Sequence, residues 1–160
     1  MAVALALSLG LVTLTGNGEP NTANAAAPDI TLTYFDGSTE TLSELKGRPV
    51  VLNFWASWCP ACITEMPSFA DVHRRYRDQV EFVGINMQEV SLDAALSLVE
   101  RTGVEYRLAH DPDGAVFNAF GGLAMPTTVF VDSDGAVVRV HSGTIFSDDL
   151  VAVIEEDLLG

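Results

Sequence analysis

Residues 50–67 read VVLNFWASWCPACITEMP. Val50 to Phe54 is a nearly continuous apolar run with Pro49 before it and a cysteine-bearing segment after it, the pattern of a strand buried on both faces. Such strands belong to sheets covered by helices. From Pro60 to about Arg77, the positions Ile63, Met66, Phe69, Ala70 and His73 recur at the helical period, with Pro67 placed where it should kink the helix. A buried strand therefore runs into a helix, and Cys59 and Cys62 sit at the junction.

Further out, Ile30 to Tyr34 alternates apolar residues with Thr as a strand does, Asp36-Gly37 makes a turn, and Thr39 to Leu45 forms a second short segment. Val80 to Asn86 is the next strand. Ser91 caps a helix whose apolar stripe is Leu92, Ala95, Leu96 and Val99, ended by Gly103. A short strand is expected around Tyr106 to Ala109, a short helix or turn over Asp111 to Phe120, and a strand over Thr127 to Val131. The tetrad Asp132-Ser133-Asp134-Gly135 turns that strand back into Ala136 to His141, and Ser147 caps a last helix with Leu150, Val151, Ile154 and Leu158 inward. This order predicts an α/β sandwich around a mixed sheet, with no internal repeat. The tetrads Asp111–Gly114 and Asp132–Gly135 lack the further acidic ligands of a calcium loop and read as turns.

A chain of 160 residues, 48% of them apolar, suits one core and one domain. Eight Lys and Arg against 22 Asp and Glu leave a net charge of -14, which repels nucleic acid and anionic lipid and suits a solvated surface. Met1 to Thr15 is almost wholly apolar and gives way to a small, polar run ending at Pro28. The apolar part falls short of the roughly 20 residues of a membrane-spanning helix but suits the core of a signal peptide, and Ala23-Asn24-Ala25 supplies a cleavage pattern. No Lys or Arg precedes the run, so residues 1–28 are expected to be a signal peptide or membrane-anchor remnant plus linker, with the domain over 29–160. No Cys ends the run, which argues against a lipid-modified chain.

The two cysteines are the only ones in the chain. At a helix N-terminus the unpaired N–H groups and the positive dipole end favour an anion, so the thiolate of Cys59 is stabilised, and a thiolate is the species that attacks a disulfide. Pro60 fits the first helical turn and stiffens the loop, and Cys62 lies one turn further in. A zinc site is disfavoured because His73, His110 and His141 are scattered and give no second ligand pair. A purely structural disulfide at this spacing would close almost no loop. No metal and no cofactor is expected.

Residues 50–67, together with Met125-Pro126-Thr127-Thr128 and the flanking strands, resemble the thioredoxin superfamily, in particular its extracytoplasmic TlpA/ResA/CcmG-like branch, over roughly residues 29–159. The resemblance implies a thioredoxin-like three-layer sandwich with a mixed central sheet and an N-terminal strand extension. It makes Cys59 the exposed nucleophile, Cys62 the buried resolving thiol and Pro126 a cis-proline beside the pair. Trp58, Met125, Pro126 and Thr127 become the substrate-binding residues, with the Met125 backbone free to take an extended substrate as an added strand. Trp58 beside the nucleophile is expected to shield it, while Trp55 fits core or rim equally. Asn53 stands where thioredoxin itself carries a buried Asp, and Asn cannot take a proton. Glu65, one turn after Cys62, matches the Glu of the ResA-like branch and is expected to tune Cys62 and assist proton transfer, a plain surface Glu being the alternative.

The chain is thus expected to be an extracytoplasmic thiol-disulfide oxidoreductase, periplasmic, cell-surface or secreted, acting on protein disulfides or dithiols. The resemblance implies a reductase in cytochrome c maturation, with apocytochrome c as substrate and a membrane thiol-disulfide electron donor as partner. A disulfide-forming oxidase is the alternative. A thiol peroxidase is disfavoured because Ala56 stands where that chemistry uses a hydroxyl, and a non-catalytic polypeptide-binding module is the remaining reading.

Overall fold

The structure, a computed structural model, describes residues 25–160. Of the signal-peptide or anchor segment plus linker expected over residues 1–28, residues 1–24 lie outside the described residues. Strand β4 (Val50–Trp55) is buried at every position, as its apolar run requires. It pairs in parallel with β5 (Glu81–Met87) and antiparallel with β7 (Thr127–Val131). Parallel β6 (Arg107–Asp111) follows β5, and the hairpin of β2 (Thr31–Tyr34) and β3 (Thr39–Thr41) closes that side. On the other side β8 (Ala136–Ser142) pairs with β7, and β1 (Ala25–Ala26) pairs with β8. The eight-stranded sheet runs β1-β8-β7-β4-β5-β6-β2-β3 and mixes both pairings.

Ala25 and Ala26, expected to be linker, are therefore the outermost strand on one edge. Helices α1 (Pro60–Tyr76), α2 (Leu92–Thr102) and α4 (Ser147–Val153) pack on the sheet face that carries Val51, Trp55, Phe82 and Phe130. The opposite face carries Leu52, Phe54, Val83 and Ile85 and is covered by Leu32, Leu42 and residues around the short helix α3 (Ala115–Ala119). Each such side chain contributes about 1.5–3 kcal/mol by leaving water. Among the described residues no helix is long and apolar enough to cross a membrane.

Helical faces depart from the sequence reading in phase. In α1 the buried face is Cys62, Glu65, Met66, Phe69, Ala70, Val72 and Tyr76, while Ile63 and His73 are half-buried. Pro67 lies inside the helix without dividing it. In α2 only Ala95 and Leu98 are buried, and Leu92 and Leu96 are 47% and 46% exposed, because the helix touches α1 along a narrow strip. The Ser91 hydroxyl does accept from the Ala94 N–H at 3.4 Å, and Gly103 ends the helix at φ 72°. Ser147, expected to cap α4, is its first residue; the cap position is Phe146, without a side-chain cap bond. Both Asp-x-Asp-Gly tetrads are turns: Asp111 accepts from the Val116 and Phe117 N–H groups, and Asp132 from those of Asp134 and Ala136.

Gly84 permits the closest approach in the core. A Cβ there would lie 2.8 Å from Leu108 Cδ2, 2.9 Å from Trp55 Nε1 and 3.0 Å from Tyr106 Cε2, all in side chains fixed by the sheet. Gly84→Ala is expected to lower the free energy of unfolding by about 1–3 kcal/mol through overpacking, measured by urea denaturation.

Candidate functional site

The chain leaves the buried end of β4, makes a tight turn in which the Cys59 N–H donates to the Ala56 carbonyl at 3.2 Å, and enters α1 with Pro60 in its first turn. Cys59 occupies the cap position, and its Sγ accepts from the Cys62 N–H at 3.2 Å. Cys59 and Cys62 are joined in a disulfide, with their Cα atoms 5.3 Å apart. The resemblance implied an exposed Cys59, but it is only 6% accessible; Cys62 is wholly buried behind it. The difference still gives the two sulfurs unequal access.

A groove of about 590 Å³ opens on Cys59 and is lined mainly by Trp58, Met87, Phe117, Leu123 and Met125, with Gln88 and Asn118 as polar members. Among the described residues no Lys, Arg, His or carboxylate lines it. Trp58 is half exposed and its Nε1 donates to the Gln88 carbonyl at 3.2 Å, whereas Trp55 is core. The Met125–Pro126 bond is cis. Of the expected substrate-binding residues, Trp58 and Met125 face the groove. Pro126 and Thr127 do not: both are buried, the Pro126 carbonyl accepts from the Gly143 N–H at 2.8 Å, and the Thr127 hydroxyl donates to the Ala124 carbonyl at 2.6 Å. They brace the turn that presents Met125.

Glu65 is fully buried, which rules out a plain surface role. One helical turn from Cys62 on the same face, its Oε1 accepts from Asn53 Nδ2 at 2.8 Å and its Oε2 from the Ile145 N–H at 3.0 Å. Burial pushes its pKa up to about 7, against the two hydrogen bonds, which pull it down. Burial, aided by the nearby charge of Glu65, also raises the Tyr106 phenol. Sequence reasoning singled out Asn53 and Glu65 but missed the Ile145 N–H, which comes from the loop before α4 and has no side-chain signature. It also missed Glu89, whose only sequence signal is an acid just beyond the end of β5. The Glu89 carboxylate accepts from Ser57, two residues before Cys59, through both the N–H at 2.9 Å and the hydroxyl at 2.8 Å.

Residues 22–154 match the Redoxin family, which is most of the chain. The chain belongs to the Redoxin family. Within it, the chain is 33% identical over 132 residues to the thiol-disulfide oxidoreductase ResA of Geobacillus thermodenitrificans, covering 82% of this chain and 75% of the relative. Among solved structures it resembles a secreted disulfide oxidoreductase of Mycobacterium tuberculosis homologous to E. coli DsbE, with TM-score 0.72 and 28% identity over 79% of this chain and 95% of that one. It also resembles the exposed lipoprotein thioredoxin Etrx1 of Streptococcus pneumoniae, with TM-score 0.67 and 29% identity over 81% and 99% of the two chains. This Redoxin-family chain is a thiol-disulfide oxidoreductase with a thioredoxin-like fold.

Because the folded-state pKa of Glu65 lies near 7, above its ordinary 4.5, folding favours the protonated acid. The corresponding stability is fully present below pH 4.5 and is lost as pH rises through 7. Urea unfolding of the oxidised protein is expected to show a fall on the order of 3 kcal/mol across that window, and Glu65→Gln is expected to flatten it.

Proposed function

We propose that the chain is an extracytoplasmic reductase of protein disulfides in which Cys59 attacks and Cys62 resolves. The observation that carries this reading is the asymmetry of the pair: Cys59 meets an open apolar groove, and Cys62 is sealed behind it beside Glu65. In the reduced enzyme the Cys59 thiolate attacks one sulfur of a substrate disulfide; an enzyme–substrate S–S bond forms, the substrate S–S bond breaks, and the departing thiolate takes up a proton. Cys62 loses its proton and attacks the Cys59 sulfur, forming the intramolecular disulfide and releasing the second substrate thiol. Two electrons pass from the enzyme to the substrate; solvent returns to the first departing sulfur the proton that Cys59 gave up on forming its thiolate, and the Cys62 proton passes by way of Glu65 to the second. Glu65, poised near neutrality, is the base that receives the Cys62 proton.

The reducing direction is supported by the electrostatics. A pair becomes strongly oxidising when its reduced form is stabilised, and among the described residues no cationic side chain lines the groove to hold a thiolate. The N-terminus of α1 favours that anion. A peroxidase is not supported: Ala56 is buried and offers no hydroxyl. Apocytochrome c is the substrate that the ResA-type resemblance favours, with a membrane thiol-disulfide donor restoring the dithiol. An extracytoplasmic site is supported by the apolar Met1–Thr15 run and by the secreted and surface-exposed relatives.

Equilibration with glutathione is expected to place the Cys59–Cys62 potential well below that of strong oxidants; a value as oxidising as about -120 mV would establish the oxidase direction instead. Cys62→Ser is expected to accumulate mixed disulfides through Cys59, and recovery of apocytochrome c in them identifies the pathway.

A further inference from the structure

Glu89 is the most heavily hydrogen-bonded carboxylate beside the site. Its Oε2 accepts from the Ser57 N–H at 2.9 Å and from Asn86 Nδ2 at 3.1 Å. Its Oε1 accepts from the Ser57 hydroxyl at 2.8 Å and the Val90 N–H at 3.0 Å. The preceding residue, Gln88, holds φ at +42°, the one positive φ outside glycine among the described residues, and its carbonyl takes the Trp58 indole N–H. The turn after β5 therefore grips both residues that precede Cys59. With about 3.8 Å between successive Cα atoms, the Cα atoms of Ser57 and Cys59 are at most about 7.6 Å apart. Glu89 is half-buried, where a charge is screened less than on the open surface.

We propose that Glu89 is a positioning residue that fixes the loop carrying Cys59 and sets a negative charge against the Cys59 thiolate, biasing the pair toward its disulfide. The proposal rests on disulfide exchange at Cys59 and is independent of the substrate. Two effects oppose each other there: the N-terminus of α1 stabilises a thiolate, and the Glu89 charge destabilises it while engaging the Ser57 donors. Burial works to raise the Glu89 pKa but is outweighed by the bonds from Ser57, Asn86 and Ser91, so the group stays below the usual carboxylate range and is charged at neutral pH. Among the described residues the other titratable groups around the pair are Glu65 on α1, Tyr106 before β6 and Asp111 at the end of β6, the last tied to the α3 N–H groups, and no cation lines the groove.

In the equilibrium, enzyme disulfide and two glutathione thiols give enzyme dithiol and glutathione disulfide. Whatever stabilises the Cys59 thiolate draws it toward the dithiol, and only where that thiolate is populated. The test compares the native protein with Glu89→Gln and Glu89→Asp by glutathione equilibration at pH 5 and pH 9 and by the pH profile of Cys59 alkylation. Glu89→Gln is expected to lower the Cys59 pKa by about one unit. At pH 9 that tenfold change makes the pair more oxidising by about 30 mV, and at pH 5 the two potentials coincide. Glu89→Asp keeps the charge and strains the bonds, so its Tm falls while its Cys59 pKa stays within about 0.3 unit of native. A purely structural brace predicts shifts in both variants that do not depend on pH. Identical native and Glu89→Gln potentials at pH 9 overturn the proposal, as does a full-unit pKa change in Glu89→Asp, which decides the matter should Glu89→Gln fail to fold. The native potential bears on the direction of the reaction; only the difference between variants bears on Glu89.

Discussion

Strand β4 is buried at every one of its positions, and that constraint organises the molecule. A strand buried on both faces needs a neighbour on each side and cover above and below. β5 and β7 supply the first; α1, α2 and α4 on one face and the α3 side on the other supply the second. The chain emerges from so deep a strand only at its C-terminal end, and there the next helix begins. The N-terminus of α1 and Cys59 arrive at that end of the sheet together as a consequence of packing.

What was legible in the sequence was whatever local pattern controls. VVLNF announced a doubly covered strand, Ser91 and Gly103 bounded their helix, and Cys-Pro-Ala-Cys marked the junction. What was not legible depended on partners far along the chain. The stripe chosen for α2 contained Leu92 and Leu96, but the helix rests on so narrow a strip that both remain in solvent. Nothing local showed that the Thr127 hydroxyl, entering a buried strand, takes the Ala124 carbonyl as its acceptor. β1 escaped notice because two alanines carry no strand signal, and their pairing is dictated by the free edge of β8.

Two acids flank the cysteine pair in opposite conditions. Glu65 is enclosed with two donors and is driven by burial toward its protonated form. Glu89 is half-buried with more donors and is held ionised. Residue type is the same, and the difference lies in the balance between lost hydration and hydrogen bonds gained. Burial prevails at one acid, and hydrogen bonding prevails at the other.

The groove also has a social consequence. Trp58 is 50% exposed and Leu123 92% exposed, so two large apolar side chains stand at the rim of the reactive sulfur. Such a rim invites contact with any apolar surface, including that of an identical molecule. Every copy, however, carries a net charge of -14, and like copies repel over roughly the 8 Å screening length of physiological salt. That repulsion opposes contact between copies at the mouth of the groove.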